Sequence, residues 1–522
     1  MKDNIQLVIP MSGKGQRFVD AGYKDPKSLI IVDGKPIIEH VLNLFPGIED
    51  VVFICDETHI KTTNMENELK RISPNCKIHS IARTDKRGPV CSINAIVEKL
   101  DPNKEIIISY CDYGTVWDFE KFLSTIHDND YAGAIPCYTG FHPHMLGKDH
   151  YAYIKHTNNI VEQIKEKEPF TDNKMSEYAS NGTYYFKSAN LVKKYFQKAI
   201  DQNLIIKDEY YVSLVYNLLI EEGLKVGIFE IEKMLQWGTP YDLEIYNTWS
   251  EYFSNIKVAQ REINHPTDTT LVLPMAGRGH RFTQEGFDLP KPLIDVDGKP
   301  MIVQAVDCLP KCDNKIFICL QDHLNEYNLK ISLSEHYPEC QVFGISHVTE
   351  GQACTCELGI DQAQLDLEKP ILISACDNGV YYNSDEYKKL LDDTTNDIIV
   401  WSFRNNPTSK NNPNMYAWLK VDENNNIKHV SCKKFIYDDP LKTHAIIGTM
   451  FFRKAKYFIE GLQKNYKENI RTNNEFYVDD VLNQNIKDNL KIKVFEVKNY
   501  ICWGTPDDYK TYNYWKEYFN YR

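Results

Sequence analysis

The sequence contains the same unit twice. The stretch LVIPMSGKGQRFVDAGYKDPKSLIIVDGKP, from Leu7 to Pro36, returns as LVLPMAGRGHRFTQEGFDLPKPLIDVDGKP, from Leu271 to Pro300. Matched residues continue through both copies, always 263 to 266 positions apart. The clearest pairs are Gly88 with Gly351, Asp112 with Asp377, Gly182 with Gly448, Glu209 with Glu475 and Trp237 with Trp503. So constant a separation indicates duplication of a whole domain rather than a short-period repeat.

The duplication predicts two domains, residues 1–256 and 271–522, joined by a polar linker at 257–270. A chain of 522 residues, 42% of them hydrophobic, can bury two separate cores. Each copy ends on an aromatic segment, YNTWSEYF in the first and YNYWKEYF in the second. The helical spacing of these aromatic side chains predicts a terminal helix that packs against its own domain.

Within each copy, apolar β-branched runs alternate with longer amphipathic segments. In the first copy QLVIPM, DVVFICD and EIIISYCD are typical of buried parallel strands, whereas PIIEHVLNLF and FEKFLSTI are typical of crossover helices. This alternation predicts an α/β domain with a mainly parallel central sheet flanked by helices. In such domains ligands bind at the carboxyl ends of the strands.

Charge and composition exclude several classes of partner. A formal net charge of -13 argues against a nucleic-acid backbone or an anionic membrane as the main partner. No apolar run approaches the ~18 residues needed to span a bilayer, and the first residues show no secretory leader. The 14 cysteines lie mostly inside apolar runs, which predicts buried free thiols in a reducing compartment. We therefore expect a cytoplasmic protein without membrane insertion, a nucleic-acid partner or a zinc site.

The repeated opening motif is typical of a phosphate-binding loop. Its glycines let the main chain approach a ligand closely and turn backbone N–H groups towards phosphate oxygens. A dinucleotide-binding fingerprint would need glycine where Phe18 and Phe282 stand, and a Walker A loop would need G-K-[ST]. What remains is a phosphate cradle with two fixed cations, which suits charge neutralisation during phosphoryl transfer. The residues are Gly13, Gly15, Arg17 and Lys27 in the first copy and Gly277, Gly279, Arg281 and Lys291 in the second.

The pattern G-x-G-x-R…P-K-x-L…G-K-P resembles the signature of the sugar-phosphate nucleotidyltransferases, in particular the branch found in capsule and surface-polysaccharide loci. The resemblance covers almost all of each copy. It implies two tandem Rossmann-like, GT-A-like domains that transfer a nucleoside monophosphate to a phosphorylated acceptor (EC 2.7.7.-). A sugar 1-phosphate acceptor would give an NDP-sugar and pyrophosphate for surface glycan synthesis, with Mg²⁺ or Mn²⁺ as cofactor. The nucleotide, the acceptor and homo-oligomerisation stay open.

The resemblance also implies roles for individual residues. Asp112 in the first copy and Asp377 in the second would hold the metal. The second metal ligand of each copy stays open; Asp242 is a candidate in the first copy and Asp508 in the second. Gly88 in the first copy, and Gly351 with Gln352 in the second, would lie in the loop that reads the base. In the first copy Arg87 and Pro89 flank that glycine, which leaves its base preference open.

The acceptor side follows the same logic. The resemblance implies acceptor-binding residues in both copies: Lys167, Gly182, Thr183 and Glu209 in the first, and Lys434, Gly448, Thr449 and Glu475 in the second. The first copy also has Glu166 before its lysine, whereas the corresponding run SCKKF has no glutamate. The copies thus differ on opposite sides of the site, which predicts two specificities or one catalytic half beside one binding or regulatory half.

A nucleotide-sugar-dependent glycosyltransferase is the competing class of enzyme, because it shares the α/β architecture. Such enzymes usually present D-x-D at the metal, whereas the strand ends here give C-D-Y and C-D-N. Release of pyrophosphate would distinguish the two classes.

Overall fold

The computed structural model describes residues 2–82, 88–259 and 267–520. Contacts between residues divide the chain into two units, Met1–Ser250 and Glu251–Phe519. The segment predicted as a linker, 257–270, has regular structure at both ends, because one helix runs to Ala259 and a strand begins at Thr267. Residues 260–266 lie outside the described residues. In the part of the chain that is described, no helix is long and apolar enough to cross a membrane.

The first unit alternates strands and helices. Its strands are β1 (Ile5–Met11), β2 (Ile31–Val32), β3 (Lys35–Pro36), β4 (Val51–Asp56), β5 (Lys77–Ile81), β6 (Glu105–Ser109), β7 (Tyr113–Val116), β8 (Gly133–Tyr138), β9 (Ala152–Thr157), β10 (Ile160–Glu166), β11 (Tyr178–Ser180), β12 (Thr183–Phe186), β13 (Val226–Glu230) and β14 (Lys233–Gln236). Its helices are α1 (Gln16–Asp20), α2 (Ile37–Leu42), α3 (Glu57–Thr62), α4 (Met65–Ile72), α5 (Pro89–Asn94), α6 (Phe119–Asp128), α7 (Ala189–Asp201), α8 (Val212–Glu221) and α9 (Pro240–Ala259).

The central sheet of this unit runs in the order β11-β9-β10-β13-β8-β12-β6-β1-β4-β5. Strands β5, β4, β1 and β6 are mutually parallel, and β8 with β13 continues that direction beyond the antiparallel β12. The chain leaves β1 towards β4 on one side and later returns to β6 on the other. The carboxyl ends of β1 and β6 therefore form the switch point where open α/β sheets bind ligands.

The second unit repeats this plan. Its strands are β15 (Thr267–Met275), β16 (Asp295–Val296), β17 (Lys299–Pro300), β18 (Cys312–Leu320), β19 (Gln341–Ile345), β20 (Ile371–Ile373), β21 (Asn378–Tyr381), β22 (Ile398–Phe403), β23 (Ala417–Val421), β24 (Ile427–Cys432), β25 (His444–Phe452), β26 (Ile492–Glu496) and β27 (Asn499–Cys502). Its helices are α10 (His280–Gln284), α11 (Met301–Asp307), α12 (Gln321–Glu326), α13 (Leu329–His336), α14 (Gln352–Gln362), α15 (Ser384–Asp392), α16 (Ala455–Glu468), α17 (Val478–Lys487) and α18 (Pro506–Asn520). The sheet order β19-β18-β15-β20-β25-β22-β26 puts β15 and β20 at the corresponding switch point.

The predicted α/β class is confirmed in both units. The runs predicted as strands are β1, β4 and β6, and the apolar side chains of β4 and β6 are buried. The segments predicted as crossover helices are α2 and α6. The observed strand β6 is shorter than the run EIIISYCD predicted for it. It ends at Ser109, and Asp112 lies in the turn before β7.

The aromatic segment YNTWSEYF packs against the first unit only through its first part, because Tyr252 and Phe253 belong to the second unit and contact Tyr512 there. Tyr246 of α9 is fully buried, and its hydroxyl donates a hydrogen bond of 2.5 Å to Asp33. Asp33 and Gly34 have positive φ values of 45° and 80° and form the tight turn between β2 and β3. The V-D-G-K-P part of the motif is therefore a hairpin held by the terminal helix, which is a structural task.

Candidate active site

The glycine loop joins β1 to the short helix α1. Gly15 is left-handed, with φ 60°, and immediately precedes the helix. A Cβ atom built on Gly15 would lie 3.5 Å from Cβ of Lys27, so the loop rests on the residue that follows Pro26. In the second unit Gly279 has φ 65°, and its Cβ would lie 3.3 Å from Cβ of Lys291. The two loops thus share one backbone conformation.

The lysine beside the loop forms an ion pair with the carboxylate after the central strand. Lys27 Nζ donates to Asp112 Oδ2, and Lys291 donates to Asp377 in the same way. Burial would lower the pKa of Lys27, but the Asp112 carboxylate outweighs burial and the pKa is raised. The pKa of Lys291 is raised beside Asp377 for the same reason. Both lysines are therefore charged cations at the carboxyl edge of the sheet.

A second carboxylate faces this pair in each unit. The absent Cβ of Gly238 would lie 3.0 Å from Asp112 Oδ2, so the chain after β14 passes directly beside the first carboxylate. Four residues further on, Asp242 accepts a 2.5 Å hydrogen bond from Thr239 at the start of α9. Burial, and to a lesser extent the charge of Asp112, raise the pKa of Asp242 to about 6. Asp508 bonds Thr505 at 2.6 Å in the second unit, and burial raises its pKa too.

Two adjoining cavities open at this point of the first unit. One has a volume of about 820 Å³ and extends from the glycine loop past Gly88 and Ser92. The other has a volume of about 500 Å³ and extends past Arg17, Lys167 and Asp242. Their shared wall consists of Gly13, Lys14, Gly15, Lys27, Tyr110, Asp112, Glu209 and Tyr211. The arrangement can hold two ligands whose ends meet at the Lys27–Asp112 pair.

The glycines predicted to lie in the base-reading loop are required by a backbone contact. Gly88 has φ 92°, and a Cβ atom there would lie 2.7 Å from the carbonyl oxygen of Tyr210. Gly351 has φ 141°, and its Cβ would lie 2.4 Å from the carbonyl oxygen of Phe476. Gly88 lines the larger cavity, and Gln352 begins α14 immediately after Gly351. Arg87 lies outside the described residues.

The acceptor-side residues of the first unit form a cluster, here called the acceptor cluster, with two sets of hydrogen bonds. Lys167 donates to the hydroxyl of Tyr211, which in turn donates to Glu209. The Lys167 ammonium also lies 4.3 Å from the centre of the Tyr211 ring, and burial lowers its pKa. Glu166 accepts a 2.6 Å hydrogen bond from Ser213, and burial raises its pKa to about 7. These groups line the 500 Å³ cavity, apart from Ser213.

The predicted Gly-Thr pair divides between the cavity and the core. Gly182, with φ 95°, lines the 500 Å³ cavity. Thr183 is fully buried and shares a hydrogen bond with the Tyr113 hydroxyl, and Thr449 is equally buried and bonds Ser374 at 2.8 Å. The hydroxyls of Thr183 and Thr449 are therefore bonded within the core and hold the strand, and the acceptor-binding role of the two residues stays a prediction.

The lysine that corresponds to Lys167 in the second unit is Lys433, the residue before the predicted Lys434. Lys433 has a left-handed backbone, with φ 51°, as Lys167 has with φ 60°. Its amide donates to Tyr416 at 3.1 Å, and its ammonium lies 5.6 Å from the ring of Tyr477. Lys434 is exposed, and within the described residues its carbonyl accepts a hydrogen bond of 2.6 Å from Ser431. SCKKF contains two adjacent lysines, and the backbone assigns the position of Lys167 to Lys433; the acceptor-binding role of Lys434 stays a prediction.

The tyrosines of both clusters were not predicted. Tyr211 and Tyr477 stand one residue before α8 and α17, where they read as ordinary aromatic residues of a helix start. The repeat itself was the available signal, because both tyrosines follow a matched glutamate by two positions, Glu209 and Glu475.

Comparison with protein families gives one match. Residues 7–214 match the family model described as Nucleotidyl transferase. Among curated proteins, the chain is 24% identical over 233 residues to the bifunctional protein GlmU of Buchnera aphidicola subsp. Baizongia pistaciae. That alignment covers 44% of this chain and 48% of the relative, so the chain spans about half the length of the curated relative it matches.

Three of the solved structures similar to this chain are named here. The nucleoside-diphosphate-sugar pyrophosphorylase of Vibrio cholerae RC9 is 21% identical, with a TM-score of 0.39 over 46% of this chain and 99% of that one. The inositol-1-phosphate CTP transferase of T. maritima is 15% identical, with a TM-score of 0.38 over 50% and 98%. The CTP:phosphocholine cytidylyltransferase of Streptococcus pneumoniae is 15% identical, with a TM-score of 0.37 over 49% and 99%.

Proposed function

We propose that this chain is a nucleotidyltransferase that moves a nucleoside monophosphate from a nucleoside triphosphate to a phosphorylated small molecule, for which we propose a sugar 1-phosphate. The observation that carries the proposal is the pair of cavities, about 820 and 500 Å³, that meet at the glycine loop and the Lys27–Asp112 pair. Two cavities that share a charged wall are suited to two phosphorylated ligands whose phosphates meet at that wall. The family match of residues 7–214 supports the same assignment.

In the proposed reaction an oxygen of the acceptor phosphate attacks the α-phosphorus of the triphosphate. A new phosphorus–oxygen bond forms as the bond to the oxygen bridging the α- and β-phosphates breaks, and pyrophosphate leaves with that electron pair. The protein has to position two anions and neutralise their charge. Backbone N–H groups of the glycine loop and Lys27 would stabilise the triphosphate, and Arg17 and Lys167 would hold the acceptor phosphate.

The residues at this site fit a divalent cation, for which we propose Mg²⁺ or Mn²⁺. Asp112 and Asp242 line the same cavity, and the charge of Asp112 contributes to the raised pKa of Asp242. Mg²⁺ is usually held by one or two carboxylates together with substrate phosphates and waters, so such a pair is sufficient. When bound, the cation would neutralise phosphate charge. Asp377 and Asp508 would be the corresponding pair of the second unit.

Both units carry the ion pair and an acceptor-side lysine, which favours two active sites over one active and one binding copy. Their acceptor sides differ in composition, so we propose two acceptor specificities. A cytoplasmic location and a role in surface glycan synthesis belong to the same proposal.

The test is pyrophosphate release from the four ribonucleoside triphosphates and dTTP, each combined with a panel of phosphorylated acceptors. The panel should include glucose 1-phosphate as a sugar 1-phosphate, together with inositol 1-phosphate and phosphocholine, which appear in the names of two of the similar proteins. We expect acceptor-dependent release, with different preferred acceptors in Lys27→Met and Lys291→Met chains. Release that does not depend on any acceptor, or none from the intact chain, would overturn the proposal.

A further inference from the structure

The acceptor clusters of the two units are related by a constant separation of 266 residues. Lys167 corresponds to Lys433 and Tyr211 to Tyr477 at this separation. The same shift matches Glu166 with Cys432 and Ser213 with Asp479. The carboxylate of the first unit is therefore missing from its strand in the second unit, and a carboxylate has appeared on the helix instead.

One asparagine in each unit bonds its helix to the neighbouring strand, and these bonds show that α8 on β10 and α17 on β24 have the same register. Asn217 of α8 donates to the carbonyl of Ile164 and accepts from its amide, both at 2.9 Å. In the second unit Asn483 of α17 makes the same two bonds to Val430, at 2.9 and 3.0 Å. Because these bonds are the same, the positions of Cys432 and Asp479 correspond in space to those of Glu166 and Ser213.

The exchanged residues are also in contact with each other. The Ser213 hydroxyl lies 2.6 Å from Glu166 Oε2, and the Cys432 sulfur lies 3.9 Å from Asp479 Oδ2. Burial raises the pKa of Asp479 to about 6, and the adjacent Lys433 opposes that rise. Glu166 is influenced in the same way by burial and by Lys167. Each unit therefore has one half-buried carboxyl beside one lysine, although different elements supply it.

We propose that Asp479 is the acceptor-binding carboxylate of the second unit and replaces Glu166 of the first from the opposite element. The inference rests on the proposed function and adds that the second unit has a complete acceptor site. An aspartate is shorter than a glutamate and enters from the helix, so the site it forms has a different shape. The residue that packs against the predicted acceptor-binding glycine differs too. A Cβ atom built on Gly182 would lie 3.2 Å from the ring of Tyr110, whereas a Cβ atom built on Gly448 would lie 3.3 Å from the much smaller side chain of Ala375. We expect the second unit to accept a bulkier group there.

The test uses the full chain with the first unit silenced by Lys27→Met, so that pyrophosphate release reports the second unit. Asp479→Asn in this background should raise the KM for the preferred acceptor by roughly 10- to 100-fold, the effect of losing a hydrogen bond to a charged group. The KM for the nucleotide should stay within about twofold of the parent, because the acceptor side alone is changed. Asp361→Asn, an exposed aspartate on α14, is the matched control and should leave both constants unchanged.

A reciprocal exchange separates ligand binding from a structural role. Cys432→Glu combined with Asp479→Ser recreates the arrangement of the first unit and should restore acceptor-dependent release, with preference shifted towards the acceptor of the first unit. An acceptor KM unchanged in Asp479→Asn would overturn the inference, as would an exchange that restores nothing or a silenced chain without activity. Those results leave the proposed function standing if the wild-type chain releases pyrophosphate. Absence of release from the wild-type chain would overturn both.

Discussion

The ammonium group of Lys27 is paired with the carboxylate of Asp112, and the pair joins the loop after β1 to the turn after β6. Their side chains keep only 23% and 21% of their exposure, so the pair is largely shielded from water. Lys291 and Asp377 repeat the contact in the second unit. Because this cation and this anion are held together in the wall shared by two cavities, the pair is the first target for mutation.

Replacing both aspartates tests the metal site. Asp112→Asn with Asp377→Asn should abolish turnover, because each unit loses the carboxylate proposed to hold the cation. The change should also lower the free energy of unfolding by roughly 1–3 kcal/mol per unit, since each lysine loses a half-buried partner. Turnover is followed by pyrophosphate release during Mg²⁺ titration, and folding by circular dichroism. Full activity in the double variant, or in excess chelator, would refute the metal-assisted reaction.

Replacing one lysine tests stabilisation of the transition state. Lys27→Met should lower kcat of the first unit by about 10²-fold, as expected for loss of one preorganised charged donor. Steady-state kinetics with the acceptor preferred by the first unit would measure it, with the exposed Lys24→Met as the control from the same loop. A change in KM alone would mean that Lys27 contributes only to ground-state binding.

The close backbone contacts of Gly88 and Gly351 predict a stability effect. Gly351→Ala would place a methyl group 2.4 Å from the carbonyl oxygen of Phe476 at a positive φ. We expect the free energy of unfolding to fall by roughly 1–3 kcal/mol or more from strain and overlap. Gly88→Ala should behave alike, whereas Gly147→Ala, whose nearest neighbour lies at 3.7 Å, should be close to neutral. Denaturant unfolding measures all three, and equal stability would contradict the contact.

Glu166 predicts a pH dependence of stability. Burial raises its folded-state pKa from the usual 4.5 to about 7. The stabilising contribution of the protonated carboxyl is thus fully present below pH 4.5 and is lost as the pH rises through 7. Glu166→Gln should therefore gain Tm relative to the wild type between pH 5 and pH 8. Thermal unfolding at several pH values would show it, and the exposed Glu168→Gln should give no such trend.

The sequence was sufficient for those features that the repeat duplicates without change. The glycine loop and the strand and helix order follow from period and spacing, because they depend on local backbone conformation. The Lys27–Asp112 ion pair joins residues 85 positions apart and was not predicted. Spacing alone does not show which of the two adjacent lysines takes the left-handed backbone position of Lys167, which is Lys433 at the end of β24. Spacing also cannot tell that the Thr183 hydroxyl points into the core.

The sequence spacing also did not reveal that a carboxylate lost from the strand at Cys432 is accompanied by a carboxylate gained on the helix at Asp479. The loss of glutamate from SCKKF indicates a weakened site when the strand is considered alone. Asp479 lies 47 positions after Cys432, and only the packing of α17 on β24 brings the two together. A comparison of both elements at the 266-residue separation would have found the exchange.

The central claim is transfer of the nucleoside monophosphate group of a nucleoside triphosphate to a phosphorylated acceptor. The most direct measurement follows label from [α-³²P]- and [γ-³²P]-nucleoside triphosphate, in parallel reactions, with the acceptor that gives most pyrophosphate. The account predicts that α-label appears in a product that also contains the acceptor, and that all γ-label appears in pyrophosphate. Label from the γ position in the acceptor, or in inorganic phosphate without acceptor-linked α-label, would contradict it.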